Sequence, residues 1–451
     1  METEYGILAA ARQGSAPVVD ADTAAAELFS EVMRHEHGTS VFLANGDRLY
    51  LDVGSHPEYA TAECASVEDL LAHDRAGVEL FAEMAAAASE RLSQTTGTET
   101  QIHLFKNNLD SAGHSCGCHE NYLLYRSPHF RALVDSLVSF LVSRQIFTGA
   151  GAILTIKGEK HFVFSQRAYQ IDDAVSAATS STRPLVNTRD EPHADSKRFR
   201  RLHVIVGDSN VLEAPTRFKI ATANLLIAAL EAGLDCTDLT LAHPVAALRD
   251  FTRDIEGGGN REAAELADGS TRTAWELQNE FYTRLETVFS RATLPPLYRE
   301  VLNDWGAWLE VMRQGKTDSL VGILDWPTKL ALLNRLQSRH EISLDDMRIS
   351  RLDLAYHDIT SAGLHLDERG LATRFTTAAA VQEARSQPPS DTRAWLRGRF
   401  IAVAKQHKLD YRADWQRLQL DTDQRVTVVL DDPFASESSE VDRLIENMEA
   451  S

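Results

Sequence analysis

Between Arg48 and Asp52 the chain reads Arg-Leu-Tyr-Leu-Asp. Successive side chains of an extended strand point to opposite faces, so Leu49 and Leu51 share one face while Arg48, Tyr50 and Asp52 share the other. A solvated edge needs only alternating polar residues, whereas a cation, a phenol and a carboxylate in one row can also do chemistry. The next segment, from Gly54 through Glu58 to Thr61 and Glu63, turns the chain and brings further carboxylates close to that row. Glu2 and Glu4 share strand parity, which lets at least one of them point into the same space. Carboxylates gathered on one face repel unless a cation joins them. Hard divalent ions such as Mg²⁺ take oxygen ligands of this kind and share them with nucleotide phosphates. An arginine alongside suits phosphate, because its planar fork pairs with two oxygens at once. The pattern favours Mg-nucleotide chemistry on an open sheet.

Other polar groupings occur along the chain. Thr188 to Asp195 is dense in polar groups, and Lys197, Arg198, Arg200 and Arg201 follow at once, a basic cluster suited to polyphosphate or an acidic peptide. The run from Lys106 to Gly113, leading to His119-Glu120-Asn121-Tyr122, is rich in amide and carboxylate groups. Cys116-Gly117-Cys118-His119 has the look of metal chemistry, but structural zinc needs a second pair of ligands and the remaining cysteines are isolated. Arg34-His35-Glu36-His37-Gly38 reads as the solvated end of a helix. There is no G-x-x-x-x-G-K-[ST] phosphate cradle and no G-x-S-x-G elbow, and Gly149-Ala150-Gly151 lacks the third glycine of a dinucleotide fingerprint.

The elements that must position these groups follow from periodicity. A helix is predicted from Asp20 through AAAELFSEVM, and another from the capping-box spacing Ser66-Val67-Glu68-Asp69. Between them VFLANGDRLYLDVG reads as a hairpin around Asn45-Gly46. QIHLFKNN, HFVFSQR and RLHVIVGDS are further strands, and residues 216–350 read as helices packed on a sheet. Gln387-Pro388-Pro389 marks a boundary between a large domain, 1–386, and a small one, 387–451, too short to hold a generous core of its own. The 451 residues carry 66 acidic against 46 basic side chains, a formal net charge of −20, which argues against a nucleic-acid surface. The longest apolar stretch, Ile220 to Leu230, is short of the roughly 20 residues a membrane helix needs. An acidic N-terminal stretch unlike a signal peptide and only four cysteines lead to the expectation of a cytoplasmic protein with reduced thiols.

Taken in order, ETEYG, NGDRLYLDVGSHPEYATAEC, LFKNNLDSAG, CHENYL, NTRDEPHAD, RRLHVIVGDSN, LDLAYHDI and QPPSDTRAWLRG resemble the Pup ligase and Pup deamidase family of actinobacteria. The resemblance implies an α+β fold similar to glutamine synthetase, with a curved antiparallel sheet packed by helices and a small C-terminal α/β domain. It also implies a reaction: ATP phosphorylates the side-chain carboxylate of the C-terminal glutamate of Pup, an acidic protein modifier. A lysine of a target protein then displaces phosphate to form an isopeptide bond, marking the target for proteasomal degradation. By matching motif positions, Asp52 is the base, Glu2, Tyr50 and Glu58 hold Mg²⁺, and Arg48, Thr61 and Trp415 contact ATP. The alternative within the family is Pup deamidation or removal. That branch carries a long additional loop before its NG-x-RLY strand, whereas a predicted helix already fills much of the interval from Glu4 to Phe42 here. An acidic modifier on an acidic enzyme calls for a locally basic groove, for which Lys197 to Arg201 is the candidate.

Overall fold

A computed structural model describes residues 1–12, 16–36, 38–52, 54–110, 113–177, 183–421 and 425–450. His37 of the His-Glu-His stretch, and Ser111 and Ala112 of the amide-rich run, lie outside the described residues. The main sheet has 8 strands, in the spatial order Asp173–Ser176, Pro184–Asn187, Phe199–Val204, Cys118–Tyr125, Glu2–Glu4, His56–Ala60, Arg48–Asp52 and Ser40–Phe42. Neighbours pair antiparallel throughout, except the first two, which run parallel. The fold is the expected α+β type with one parallel edge.

Alternation decides which face of the sheet is buried. Leu49 and Tyr59, opposite one another in register, turn to a core shared with Phe81, Ala85 and Leu92 of the long helix Val67–Thr96. Farther along, Tyr122, Leu124, Leu202 and Val204 turn to a larger core built with helices Phe130–Ser143 and Glu213–Glu231. The other face is left to Arg48, Tyr50, Asp52 and their neighbours. The helix Val67–Thr96 starts at Ser66, whose Oγ accepts from the Asp69 amide at 3.0 Å, and ends at Gly97 in the left-handed conformation, φ 69°. The reciprocal half of the capping box is replaced, since Ser66 Oγ donates to the Asp69 carboxylate at 2.7 Å.

Two departures from periodicity have local causes. The predicted first helix is divided into Ala21–Leu28 and Ser30–Glu36, because Phe29 caps the first piece and turns fully into the core. The helical region is interrupted by a short hairpin, Ala263–Glu265 with Thr271–Thr273, turning at Gly269 with φ 85°. Near the C-terminus, helices Arg393–Gln406 and Ser439–Glu449 pack on the strands Tyr411–Ala413, Arg417–Leu420 and Val426–Val429. Their apolar cluster includes Phe42 from the edge of the main sheet.

The hairpin turn that aims the Arg48–Asp52 strand is tied by Asp47, which is wholly buried. Gly46, at φ 84°, takes the left-handed turn position, where a Cβ would stand 3.1 Å from Pro388 and Ala394. Asp47 accepts from the Tyr59 hydroxyl, from the Ala62 amide at 2.5 Å and from Asn45 Nδ2 at 2.6 Å, and its Oδ1 lies 2.8 Å from His73 Nδ1. One carboxylate thereby joins the turn, the adjacent strand and the long helix. Asp47→Ala strands several buried donors at once and is expected to lower unfolding free energy by about 3 kcal/mol or more, measured by chemical denaturation.

Candidate active site

Register assembles the polar face row by row, because directly opposed residues of antiparallel strands point the same way. Tyr50 lies opposite Glu58, and Glu58 opposite Glu4. Arg48 lies opposite Ala60, and Ala60 opposite Glu2, which is itself opposite His119. Asp52 faces His56, Asn121 faces His203 and Leu123 faces Arg201. Carboxylate oxygens of Glu4, Asp52 and Glu58 lie within 4.8 Å of one another, and donor atoms of Glu2, His119 and His203 form a second such group. Glu2 Oε2 is 3.3 Å from His119 Nδ1 and 3.9 Å from His203 Nε2.

Burial, then the charges of Glu2, Glu4 and Asp52, push the Glu58 carboxyl up to about 9 against the help of the Tyr50 hydroxyl. Burial and the carboxylates of Glu2 and Glu58 raise the Tyr50 phenol strongly. Burial would raise Glu2 too, but the hydrogen bond and charge of His119, with His203, hold it well below the usual range. Burial and the neighbouring His119 push His203 down to about 3, while hydrogen bonds to Cys116 and Glu4 lift His56 to about 10. Glu58 Oε1 is buried without a hydrogen-bond partner. Crowded acidic oxygens, one of them orphaned, form a donor set suited to a hard divalent cation such as Mg²⁺.

Beside this row a cleft is lined by Glu2, Thr61, Arg201, Arg393 and Trp415 among others. Arg201 is among these residues, and its Nε is buried without a hydrogen-bond partner. Trp415 stands edge-on to Phe42, ring centroids 4.9 Å apart. Glu63, at the cleft wall, accepts from Arg393 Nε at 2.7 Å and from Arg397 Nη2, and Arg397 Nη2 also donates to the Gly46 carbonyl at 3.0 Å. Burial opposes ionisation of Glu63, yet Arg397 and Arg393 lower it from 4.5 to about 2. The Arg397 guanidinium lies 5.0 Å from the Phe42 centroid and 5.1 Å from that of Trp415.

The structure thus brings Glu2, Tyr50, Asp52 and Glu58 onto one face and sets Thr61 and Trp415 in the adjoining cleft. Arg48 stays beside the cleft, donating to Ser40 Oγ at 2.8 Å with its guanidinium 4.4 Å from the Tyr50 centroid. The basic cluster is not a free basic face. Arg198 pairs with Asp432 at 2.9 Å, Arg200 with Asp190 at 3.5 Å, and Arg201 enters the cleft. The sequence offered Glu4 and His119 without assigning either a role here, and left His203 and Arg393 unnoticed. The parity of Glu2 and Glu4 was a usable signal for the first, but the others depend on pairings between distant segments.

A family description of Pup-ligase proteins matches residues 1–419. The Pup–protein ligase of Xylanimonas cellulosilytica is 45% identical over 456 residues, covering 99% of this chain and 98% of the relative. That of Mycolicibacterium smegmatis is 42% identical over 451 residues, covering 99% and 98%. The fold matches the crystal structure of the complex between the prokaryotic ubiquitin-like protein Pup and its ligase PafA with a TM-score of 0.93 at 37% identity, over 100% of this chain and 90% of that one. It matches PafA in complex with ADP with a TM-score of 0.86 at 36% identity, over 98% and 96%.

Glu58→Gln removes a carboxyl that must take up a proton on folding, since its surroundings push it up to about 9. In the presence of a chelator this variant is expected to gain about 1 kcal/mol or more in thermal unfolding, and to lose any further gain on adding Mg²⁺. Glu63 contributes stability above its ordinary value that is lost as pH falls toward about 2. The stability difference between the wild type and Glu63→Gln is therefore expected to be about 3 kcal/mol near neutrality and to shrink between roughly pH 4.5 and 2 in acid titrations followed by circular dichroism.

Proposed function

The chain belongs to the Pup-ligase family, and from that premise we propose how its residues carry out the reaction. It is an ATP-dependent ligase that attaches Pup to proteins. The observation that carries the residue-level reading is the convergence of Glu4, Asp52 and Glu58 on one sheet face, next to a cleft holding Thr61, Arg201 and Trp415. Such a face suits phosphoryl transfer, in which positioning and charge stabilisation do most of the work.

In this reading Arg48 and Arg201 would meet the phosphate oxygens of ATP, and Trp415 and Thr61 would bound the rest of the nucleotide. Glu2, Tyr50 and Glu58 hold Mg²⁺, with Glu4 adjacent, and the ion supplies neutralisation of phosphate charge when bound. A side-chain carboxylate oxygen of Pup's C-terminal glutamate attacks the γ-phosphorus and ADP departs. A lysine amine of the target then attacks the acyl carbon of the γ-glutamyl phosphate, inorganic phosphate leaves, and the amine loses a proton to Asp52. An ammonium has no lone pair, so a carboxylate within the site is what makes the amine a nucleophile. Residues 387–451 act as a small domain that closes the nucleotide end through Trp415 and the Glu63 clamp. Unpaired cysteines suit a cytoplasmic setting for this activity, and no helix among the described residues is long and apolar enough to cross a membrane.

The test is incubation with ATP, Mg²⁺, glutamate-ended Pup and a lysine-bearing protein, with the isopeptide product read by mass spectrometry. Asp52→Asn is expected to lower ligation by about 10²-fold or more while ADP binding, followed by calorimetry, stays near the wild-type value. Undiminished ligation by this variant would remove Asp52 as the base.

A further inference from the structure

The four residues Cys116 to His119 divide among three surroundings. Cys118 Sγ turns into the core, 3.7 Å from Lys219 Nζ, and His119 joins Glu2 and His203. Cys116 stands with Glu4 and His56, and the donor atoms of these three lie within 4.8 Å of one another. Spacing along the chain offered no further ligands for this thiol. Folding supplies them from two other segments.

The set comprises one thiol, one imidazole and one carboxylate. Oxygen-only groups favour Mg²⁺, whereas sulfur and nitrogen together favour a borderline or soft ion of the zinc type. Cys116 is only 1% exposed, but the His56 side chain is 23% exposed and gives an ion a way in. Gly117 keeps this group separate from its neighbour. A Cβ at that position would stand 2.6 Å from Glu4 Oε1 and 2.6 Å from His119 Nε2, so a side chain there would displace a ligand of one group or the other. Glu4 belongs to both the sulfur-containing group and the Glu4–Asp52–Glu58 group.

We propose that Glu4, His56 and Cys116 form a binding site for a thiophilic divalent cation, Zn²⁺ or a close relative, and that its occupancy inhibits the ligase by drawing Glu4 away from Asp52 and Glu58. On binding, the Cys116 thiol releases its proton to solvent and ligates as the thiolate. The inhibitory half rests on the catalytic reading given above. The binding half does not.

Cobalt(II) separates the two. Titrated into the full-length protein in excess Mg²⁺, Co²⁺ is expected to develop a near-ultraviolet sulfur-to-cobalt charge-transfer band that Zn²⁺ then abolishes. Cys116→Ser should lose the band, and Cys236→Ser, whose cysteine lies in the helical core, should keep it. If Cys116→Ser does not fold, His56→Gln takes its place and is expected to weaken Co²⁺ binding about tenfold or more. In the ligation assay Zn²⁺ should inhibit the wild type and Cys236→Ser, while Cys116→Ser should need about tenfold more. Co²⁺ binding without a thiolate band, which would put the ion at Glu2–His119–His203, overturns the site. So does a band that survives in Cys116→Ser, or unchanged affinity in His56→Gln. A band in an active ligase that Zn²⁺ fails to inhibit overturns the inhibitory half alone, and absence of ligation under all conditions tells against the catalytic reading instead.

Discussion

The mutual repulsion of Glu4, Asp52 and Glu58 is the constraint to which the surrounding structure answers. Their oxygens lie within 4.8 Å, and at an effective dielectric of about 20 two unit charges at that distance would repel by roughly 3 kcal/mol, a cost that is relieved where Glu58 holds its proton up to about 9. A whole domain is stable by only about 5–15 kcal/mol, so the arrangement has to be imposed from outside the cluster. The reverse side of the same strands imposes it. Leu49 and Tyr59 are sealed against Phe81, and Asp47 binds turn, strand and helix together. Stability gathered on one face of the sheet sustains charge on the other.

A second anchor works at the cleft. Arg397 is fully buried, contacts Glu63 and the Gly46 carbonyl, and lies against Phe42 and Trp415. A buried guanidinium with a paired carboxylate is costly to break from one side. Because Phe42 also sits in the C-terminal apolar cluster, the edge of the main sheet and the strands around Trp415 share packing as well as charge. The position of the tryptophan follows from these contacts rather than from its own loop.

Much of the site was legible because period-two alternation is local. Arg48, Tyr50 and Asp52 needed only the strand assignment, and Glu58 needed only the turn after it. His119, His203 and Arg201 could not be placed the same way, since their positions depend on which strand pairs with which across distant segments. The ion pairs of the basic cluster were out of reach for a related reason: the partners of Arg198 and Arg200 are Asp432 and Asp190, one of them more than half the chain away. Thr61 and Trp415 were placed by family resemblance, not by spacing. The division of the first helix at Phe29 was missed because the apolar spacing continues across the break while the backbone does not.

The cleft draws its walls from Glu2 and Thr61 at one extreme of the chain and from Arg393, Trp415 and Phe434 at the other. Its first strand, Glu2–Glu4, lies between His56–Ala60 and Cys118–Tyr125 and has both neighbours only once the second of these has been synthesised. During translation the helical core can consolidate while the cleft still lacks a wall. The cleft is consequently among the last features the polypeptide completes, and a nascent chain stalled before residue 393 lacks one of its walls.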